Sequence, residues 1–187
     1  MRLCFLANAS SLHTKRWIDY FANKAYDIYL LTFDDWKGPV ARDEYLRMKN
    51  VSLYEYPKKG ASLFSSILKI KRTVKKIDPD LLHAHYISSY GVVAAFTGFR
   101  PLILSAWGSD IAIDPEKAPF MRMLIRYALK RADVVQAGDE PAKTRLIELG
   151  CEASKIIVQP SGVDTKIFSP KARSREIRRK LGIENKY

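Results

Sequence analysis

The sequence has no apolar run that approaches the length of a membrane span, so it offers no transmembrane helix. It has only two cysteines, Cys4 and Cys151, far apart and at no metal-binding or redox spacing. They read as one buried thiol and one loop thiol. No glycine-rich fingerprint follows the first strand pattern, which leaves a dinucleotide-binding reading little support. No nucleophile elbow is present, against a Ser/His/Asp hydrolase. None of the usual nucleic-acid motifs appears, and neither does an internal repeat or a low-complexity tract. The opening MRLCFLANASSLHTK is too brief in its apolar run for a secretory signal and reads as the first strand of a cytoplasmic protein. Acidic residues are also scarce: 20 Asp and Glu face 32 Lys and Arg, a formal net charge of +12. That excess fits an anionic partner (nucleotide, phospholipid surface, nucleic acid or anionic glycan) without choosing among them.

What is present is a chain of 187 residues, 47% hydrophobic and 28% charged, enough for one α/β domain with a real core. Its centre is Asp80 to Asp110. Two short apolar runs, Leu81 to Ala84 and Leu102 to Ala106, have the pattern of buried parallel strands. Gly91 to Phe99 between them is small and apolar, suited to a crossover helix, which makes a βαβ unit. Further strands are expected over Arg2 to Ala9, Asp27 to Phe33, Val51 to Tyr56, Ala132 to Ala137 and Ile156 to Gln159. Helices are expected over 9–26, Ser62 to Ile77, Phe120 to Arg131, and from Pro141 to a cap at Gly150. Asp34 to Asn50 reads as a loop with a short helix, and Ile111 to Ala118 as a loop. Strands alternating with helices predict an α/β fold with a Rossmann-like, doubly wound parallel sheet. Residues 1–170 form that domain. Residues 171–187 are highly charged, a linker or the opening of a further domain.

In such sheets ligands bind beyond the carboxyl ends of the strands. This places His85, Tyr86, Ser88 and Ser89 after one central strand and Trp107, Gly108, Ser109 and Asp110 after the other at a common crevice. The first strand delivers Asn8, Ser10, Ser11 and His13 to the same side, where the helix start could hold an anion. Asp139 and Glu140 follow a later strand. Indole can stack on a sugar ring, glycine allows close backbone approach, and serine and aspartate bond hydroxyls. The same turn also reads as a capped βα turn with a buried tryptophan. His83 and His85 share a strand face. A metal needs about three protein ligands and nothing forces Asp110 into that role, so a packed pair of histidines without metal is expected. Lys69, Lys71, Arg72, Lys75 and Lys76 line the outer side of helix 62–77, either as a solvated face or as peripheral contact with an anionic membrane.

Three stretches, DLLHAHYISSYG, PLILSAWGSDI and ADVVQAGDEPAKTRLIELGCEASKIIVQPSGVDTKIFSP, resemble the N-terminal domain of family 4 retaining glycosyltransferases of the two-domain GT-B fold. The resemblance covers nearly the whole chain in order. It implies an acceptor-side domain that binds a glycan, a lipid-linked or a small-molecule acceptor. No cofactor is expected in it; the nucleotide-sugar donor belongs to a second domain, with no counterpart in this sequence. It also implies that the acceptor-side chain alone is inactive. Three positions depart from the family. Asn8-Ala9-Ser10-Ser11-Leu12-His13 replaces a glycine-rich turn, Trp107 stands where histidine is usual, and Ser161 replaces the hinge asparagine. The role of that histidine therefore does not carry over to Trp107, and no catalytic residue is assigned. His85, Tyr86, Trp107, Gly108, Ser109, Asp110, Ser10, His13, Asp139 and Glu140 are the expected acceptor-site residues. Two other readings stay open: a stand-alone domain that binds a glycan or an anionic lipid, and one subunit of a split transferase.

Overall fold

The computed structural model describes residues 1–58, 62–166, 168–169 and 174–183, with backbone only for 62–64. Seven strands form one parallel sheet: β1 (Arg2–Leu6), β2 (Asp27–Phe33), β3 (Val51–Tyr56), β4 (Leu81–His85), β5 (Leu102–Ser105), β6 (Val134–Ala137) and β7 (Ile156–Val158). Their order across the sheet is β3-β2-β1-β4-β5-β6-β7. The order reverses between β1 and β4, so the crevice of an open α/β sheet falls beyond their carboxyl ends.

The helices are α1 (Leu12–Ala22), α2 (Arg42–Leu46), α3 (Ser62–Ile77), α4 (Val92–Thr97), α5 (Ser109–Ala112), α6 (Asp114–Lys117), α7 (Pro119–Arg131), α8 (Glu140–Glu148) and α9 (Arg175–Lys180). Successive strand side chains point to opposite faces, and the two faces have separate cores. Cys4, Leu6, Leu82, Ala84, Leu102 and Leu104 pack under α3, α4, α7 and α8, against Ile70, Val74, Val93, Ile125 and Leu146. Burying Ile70 and Val74 stabilises the fold by about 2 kcal/mol each. On the other face Leu3, Phe5, Ile28 and Leu30 pack against Ile18 of α1 and Tyr45 of α2. That second layer stops short. Beyond β4, Ile103, Val134, Gln136 and Ile157 line a groove bordered by Trp17 and Phe21, and Ile157 is exposed.

Local chemistry explains the helix starts. Ser11 accepts the His13 N–H with its side chain, and Asp139 accepts the Ala142 N–H, the cap chemistry of a helix N-terminus. Pro119 and Pro141 occupy first turns, where a missing N–H costs nothing.

Several boundaries differ from the sequence reading. The first strand ends at Leu6, because Ala7 to Ser11 turn into α1. The expected loop 111–118 is instead mostly taken up by two single-turn helices, α5 and α6, with Ile113 between them and Ala118 after the second. The crossover helix is shorter and is preceded by a π-helical turn, Ile87–Gly91. In the charged tail α9 forms at Arg175–Lys180, capped by Ser174. The proposed boundary at 170–171 lies outside the described residues, as do 171–173 and 184–187 and the Leu63 side chain. Among the described residues no helix is long and apolar enough to cross a membrane.

Candidate functional site

The crevice has three walls, each a turn at a strand's carboxyl end. The first follows β1. Asn8 Oδ1 accepts hydrogen bonds from the Ser10 N–H at 3.0 Å and from Ser10 Oγ at 2.9 Å. Gly38 packs on this turn so closely that a Cβ there would stand 2.0 Å from the Ser10 carbonyl oxygen. Ser10 is consequently buried beneath Gly38 and shapes the turn. His13, one helical step on, is exposed, and its ring centroid lies 4.6 Å from that of Trp107.

The second wall follows β4. His83 and His85 are both buried and pack edge to face, with ring centroids 4.6 Å apart. Trp17 stands edge-on to both, with Phe5 beside them. Burial disfavours the charged imidazole. It pushes His83 down to about 3, and it holds His85 well below the usual histidine range, with help from the neighbouring His83 and His13. His83 Nε2 pairs with Ser105 Oγ at 2.7 Å, and Ser105 Oγ donates to Gln136 Oε1 at 2.7 Å. His85 differs: neither of its ring nitrogens has a hydrogen-bond partner among the described residues. The next residue, Tyr86, takes φ +70°, a conformation a bulky side chain rarely adopts. It is held there by its N–H to the Ser105 carbonyl at 3.1 Å and by the following N–H, Ile87, to Asp110 Oδ2 at 2.7 Å. The π-helical turn then begins, a distortion frequent at functional sites.

The third wall follows β5. Gly108, at φ +109°, turns the chain between Trp107 and α5. Asp110 is fully buried. One carboxylate oxygen accepts the Trp107 N–H at 3.0 Å and the other accepts the Ile87 N–H. Asp110 therefore ties the second wall to the third instead of facing a sugar hydroxyl. Burial holds its carboxyl above the usual range despite those bonds. Ser109 Oγ lies 2.8 Å from the Tyr86 hydroxyl, a polar pair at the crevice rim. Trp107 Nε1 is shut from solvent and, like His85, has no partner among the described residues.

Two recesses open between these walls. One, of about 340 Å³, is lined by Asn8, Ser11, His13, Thr14, Lys58, His85, Tyr86, Ser89, Tyr90 and Trp107. The second, of about 640 Å³, lies on the opposite side of His13 and Trp107 and reaches Arg16, Tyr20, Gln136 and the segment Gln159 to Gly162. Of the expected site residues, the smaller recess brings together His13, His85, Tyr86 and Trp107, with Ser109 bonded at its edge. Gly108 shapes the turn, while Ser10 and Asp110 are buried in the scaffold. Asp139 caps α8 and Glu140 pairs with Lys143 at 3.4 Å; neither lines a recess. The sequence reading missed Lys58, Tyr90, Gln136 and Gln159. Lys58 and Gln159 follow strand ends and Gln136 is the penultimate residue of β6, so the strand-end rule could have found them. Tyr90 carries no such signal, because the π-helical turn swings it inward. Among the described residues no group of three or more His, Cys, Asp or Glu could hold a metal ion.

A neutral imidazole, an indole N–H, a phenol–hydroxyl pair and an aromatic platform suit an uncharged polyhydroxyl ligand. The sequence profile of the family described as "Glycosyl transferase 4-like" matches residues 2–138. The chain belongs to this family. Among solved structures, Anabaena Alr3699/HepE in complex with UDP and glucose superposes with a TM-score of 0.71 at 20% identity, covering 99% of this chain and 51% of that one. The putative UDP-N-acetylglucosamine 2-epimerase from Listeria monocytogenes gives 0.65 at 15% identity, covering 97% and 51%. The lipopolysaccharide outer core galactosyltransferase WaaB, in its apo form, gives 0.59 at 15% identity, covering 88% and 46%. At such identities these likenesses speak for the fold, the Rossmann-like half of a GT-B architecture. The chain spans about half the length of the structures it matches. No curated protein matches the sequence.

Proposed function

We propose that this chain forms the acceptor side of a retaining glycosyltransferase, and that a nucleotide-sugar donor is held by a second domain. The observation that carries the reading is His85: a neutral imidazole in the wall of the smaller recess, buried, with both ring nitrogens unpaired. Leaving such a group unpaired costs about 1–3 kcal/mol. A ligand hydroxyl would satisfy it, and the indole N–H of Trp107 beside it. Membership of a transferase family and a span near half of the two-domain structures support the same reading.

Glycosyl transfer builds positive charge at the anomeric carbon and negative charge on the departing diphosphate. The acceptor oxygen forms the new bond to that carbon as the bond to the diphosphate breaks, and the acceptor proton passes to the departing diphosphate oxygen. This domain's contribution is to hold the acceptor hydroxyl against the sugar. His85 accepts a hydrogen bond without charging, because its burial disfavours imidazolium. Tyr86 and Ser109 align a further hydroxyl, and Trp107 with His13 gives the sugar ring an aromatic face. The two cysteines are buried and free, which fits a reducing, cytoplasmic setting.

The test is saturation-transfer NMR on the purified chain with a panel of monosaccharides and glycosides, alongside a turnover assay with UDP-glucose. Contact of at least one sugar with the wild type, lost in His85→Ala, is expected, with no turnover by this chain alone. Sugar contact unaffected by His85→Ala would reject the recess as the acceptor site. Turnover by the isolated chain would reject the need for a second domain.

A further inference from the structure

The sheet face covered by α3, α4 and α7 carries a surface that acceptor binding does not explain. These helices are neighbours over one core, through Ile70 and Val74, Val92 to Ala95, and Ile125 to Leu129. Their outward sides therefore form one continuous surface. The three helices themselves carry no acidic residue: α3 has five Lys and Arg, α7 has four, and α4 has no charge of either sign. On α3, Lys69, Lys71, Arg72, Lys75 and Lys76 are exposed, and none makes an ion pair among the described residues. On α7, Arg126 and Lys130 are likewise exposed and unpaired by acid.

Between these cations stand large apolar side chains that the fold leaves in water. Phe96 at the end of α4 is 42% exposed, and Tyr127 of α7 is 39% exposed. Their rings pack at 5.1 Å across the helix boundary. Met123 and Phe120 continue the same stripe at 58% and 63%, and Leu68 stands on the outer side of α3. The spacing of Phe120, Met123 and Tyr127 keeps them on one side of α7. Acid reaches this surface at α7, where Arg122 pairs with Glu116 at 3.8 Å and Glu152 lines a recess with Arg126, Tyr127 and Lys130. Scattered exposed apolar residues need no explanation, but a stripe flanked by the unpaired cations of α3 does.

We propose that this α3–α4–α7 face docks on an anionic phospholipid bilayer, with Phe96, Phe120, Met123 and Tyr127 entering the headgroup boundary and the basic side chains lying on the phosphates. Charge complementarity selects the partner. Positive charge alone would suit any polyanion, whereas aromatic and methionine side chains among the cations need an apolar phase to enter. α3 and α7 both begin at the carboxyl edge of the sheet, the edge that holds the crevice. A docked domain would hold that edge close to the bilayer, within reach of an acceptor carried on a lipid. The inference stands whether or not the chain serves glycosyl transfer.

The experiment is vesicle flotation of the whole chain with phosphatidylcholine alone and with phosphatidylcholine plus phosphatidylglycerol, at low and high salt. The wild type is expected to float with the anionic vesicles and stay behind with the neutral ones. Each cation near the surface is worth roughly a factor of five in partition. Lys69→Gln/Arg72→Gln/Lys75→Gln/Lys76→Gln is therefore expected to abolish flotation. Phe120→Ser/Met123→Ser, at exposed sites that carry no fold, is expected to lower flotation severalfold and to make the remainder fully salt-sensitive. Circular dichroism checks that both variants are folded, and the second keeps the test decisive if the first is not. No flotation of the wild type, equal flotation on neutral vesicles, or an unaltered Phe120→Ser/Met123→Ser protein would overturn the proposal. So would retention on heparin with no vesicle binding, which would assign the surface to a soluble polyanion.

Discussion

His83 and His85 lie two residues apart on β4, face the same side of the sheet and share the company of Phe5 and Trp17, yet they end in opposite conditions. The His83 half of this floor is closed in its hydrogen bonding, although the ring also lines the groove beyond β4. Its imidazole, the Ser105 hydroxyl and the Gln136 amide form a connected chain of hydrogen bonds. The His85 half is equally buried and unpaired, and it stands in the wall of a recess beside a second unpaired group, Trp107 Nε1. Burial and depressed basicity are common to both, so neither property separates a site from a scaffold. Hydrogen-bond satisfaction does. A fold that can partner one buried imidazole and leaves its neighbour alone marks the neighbour as the one with work outside the fold.

The largest effect that should break this comparison is on function. In the proposed two-domain transferase, His85→Ala is expected to lower kcat/KM by about 100-fold, the cost of a misplaced acceptor hydroxyl, while His83→Gln, whose amide can still meet Ser105, changes it little. Steady-state kinetics on the two variants decides this, and similar losses in both would erase the distinction.

A second effect is on acid stability. Both histidines are neutral in the folded chain and titrate near 6.5 once unfolded, so the unfolded chain binds more protons below that pH. Stability is complete above about pH 6.5 and falls as the pH drops, for His83 until about 3, with a slope near 1.4 kcal/mol per pH unit for each group. Urea titrations between pH 7 and 5 should therefore show a flatter dependence in His83→Phe than in the wild type. An unchanged slope would mean that His83 does not stay neutral when folded.

Smaller again, Ser105→Ala leaves both His83 and Gln136 short of a partner and is expected to cost about 1–3 kcal/mol in urea unfolding. It should leave sugar contact intact, since the Ser105 hydroxyl serves only the His83 half and the carbonyl that holds Tyr86 survives the change. The smallest effect belongs to Trp107→Phe, which keeps an aromatic face but removes the indole N–H. A loss of a few-fold in acceptor affinity, by isothermal titration, and no loss of stability are expected. A destabilised Trp107→Phe would instead make the indole part of the scaffold.

Much of this fold could be read from the residues, because buried parallel strands announce themselves as short apolar runs. The runs at Asp27 to Phe33 and Val51 to Tyr56 and the span of α3 match the structure end to end, and Ile70, Val74 and Ile77 of its stripe are buried. α5 and α6 could not be read: each is one turn long, too short for any periodicity, and Pro115 resembles loop chemistry. For the site, strand-end logic brought His13, His85, Tyr86 and Trp107 to one recess. It could not say that Ser10 would be covered by Gly38 or that Asp110 would spend both oxygens on backbone N–H groups. The Gly38 contact and the Ile87 bond join segments more than twenty residues apart, while the Trp107 bond is local, three residues back. The unpaired state of His85 is of the same kind, visible only once every neighbour is placed.

The left-handed backbone of Tyr86 bears on how this chain could be altered. A bulky residue held at φ +70° carries a conformational penalty of about 1–3 kcal/mol that glycine would not. A laboratory search for heat-resistant variants would therefore try Tyr86→Gly beside Ala25→Gly and Asp78→Gly, the other described non-glycine residues at positive φ, and of the three only Tyr86 stands in the wall of the recess. Drift under relaxed selection would move the same way. Where a relative kept only the fold, glycine at this position would be an early sign that the crevice had fallen out of use, and a retained tyrosine a sign that something still binds there.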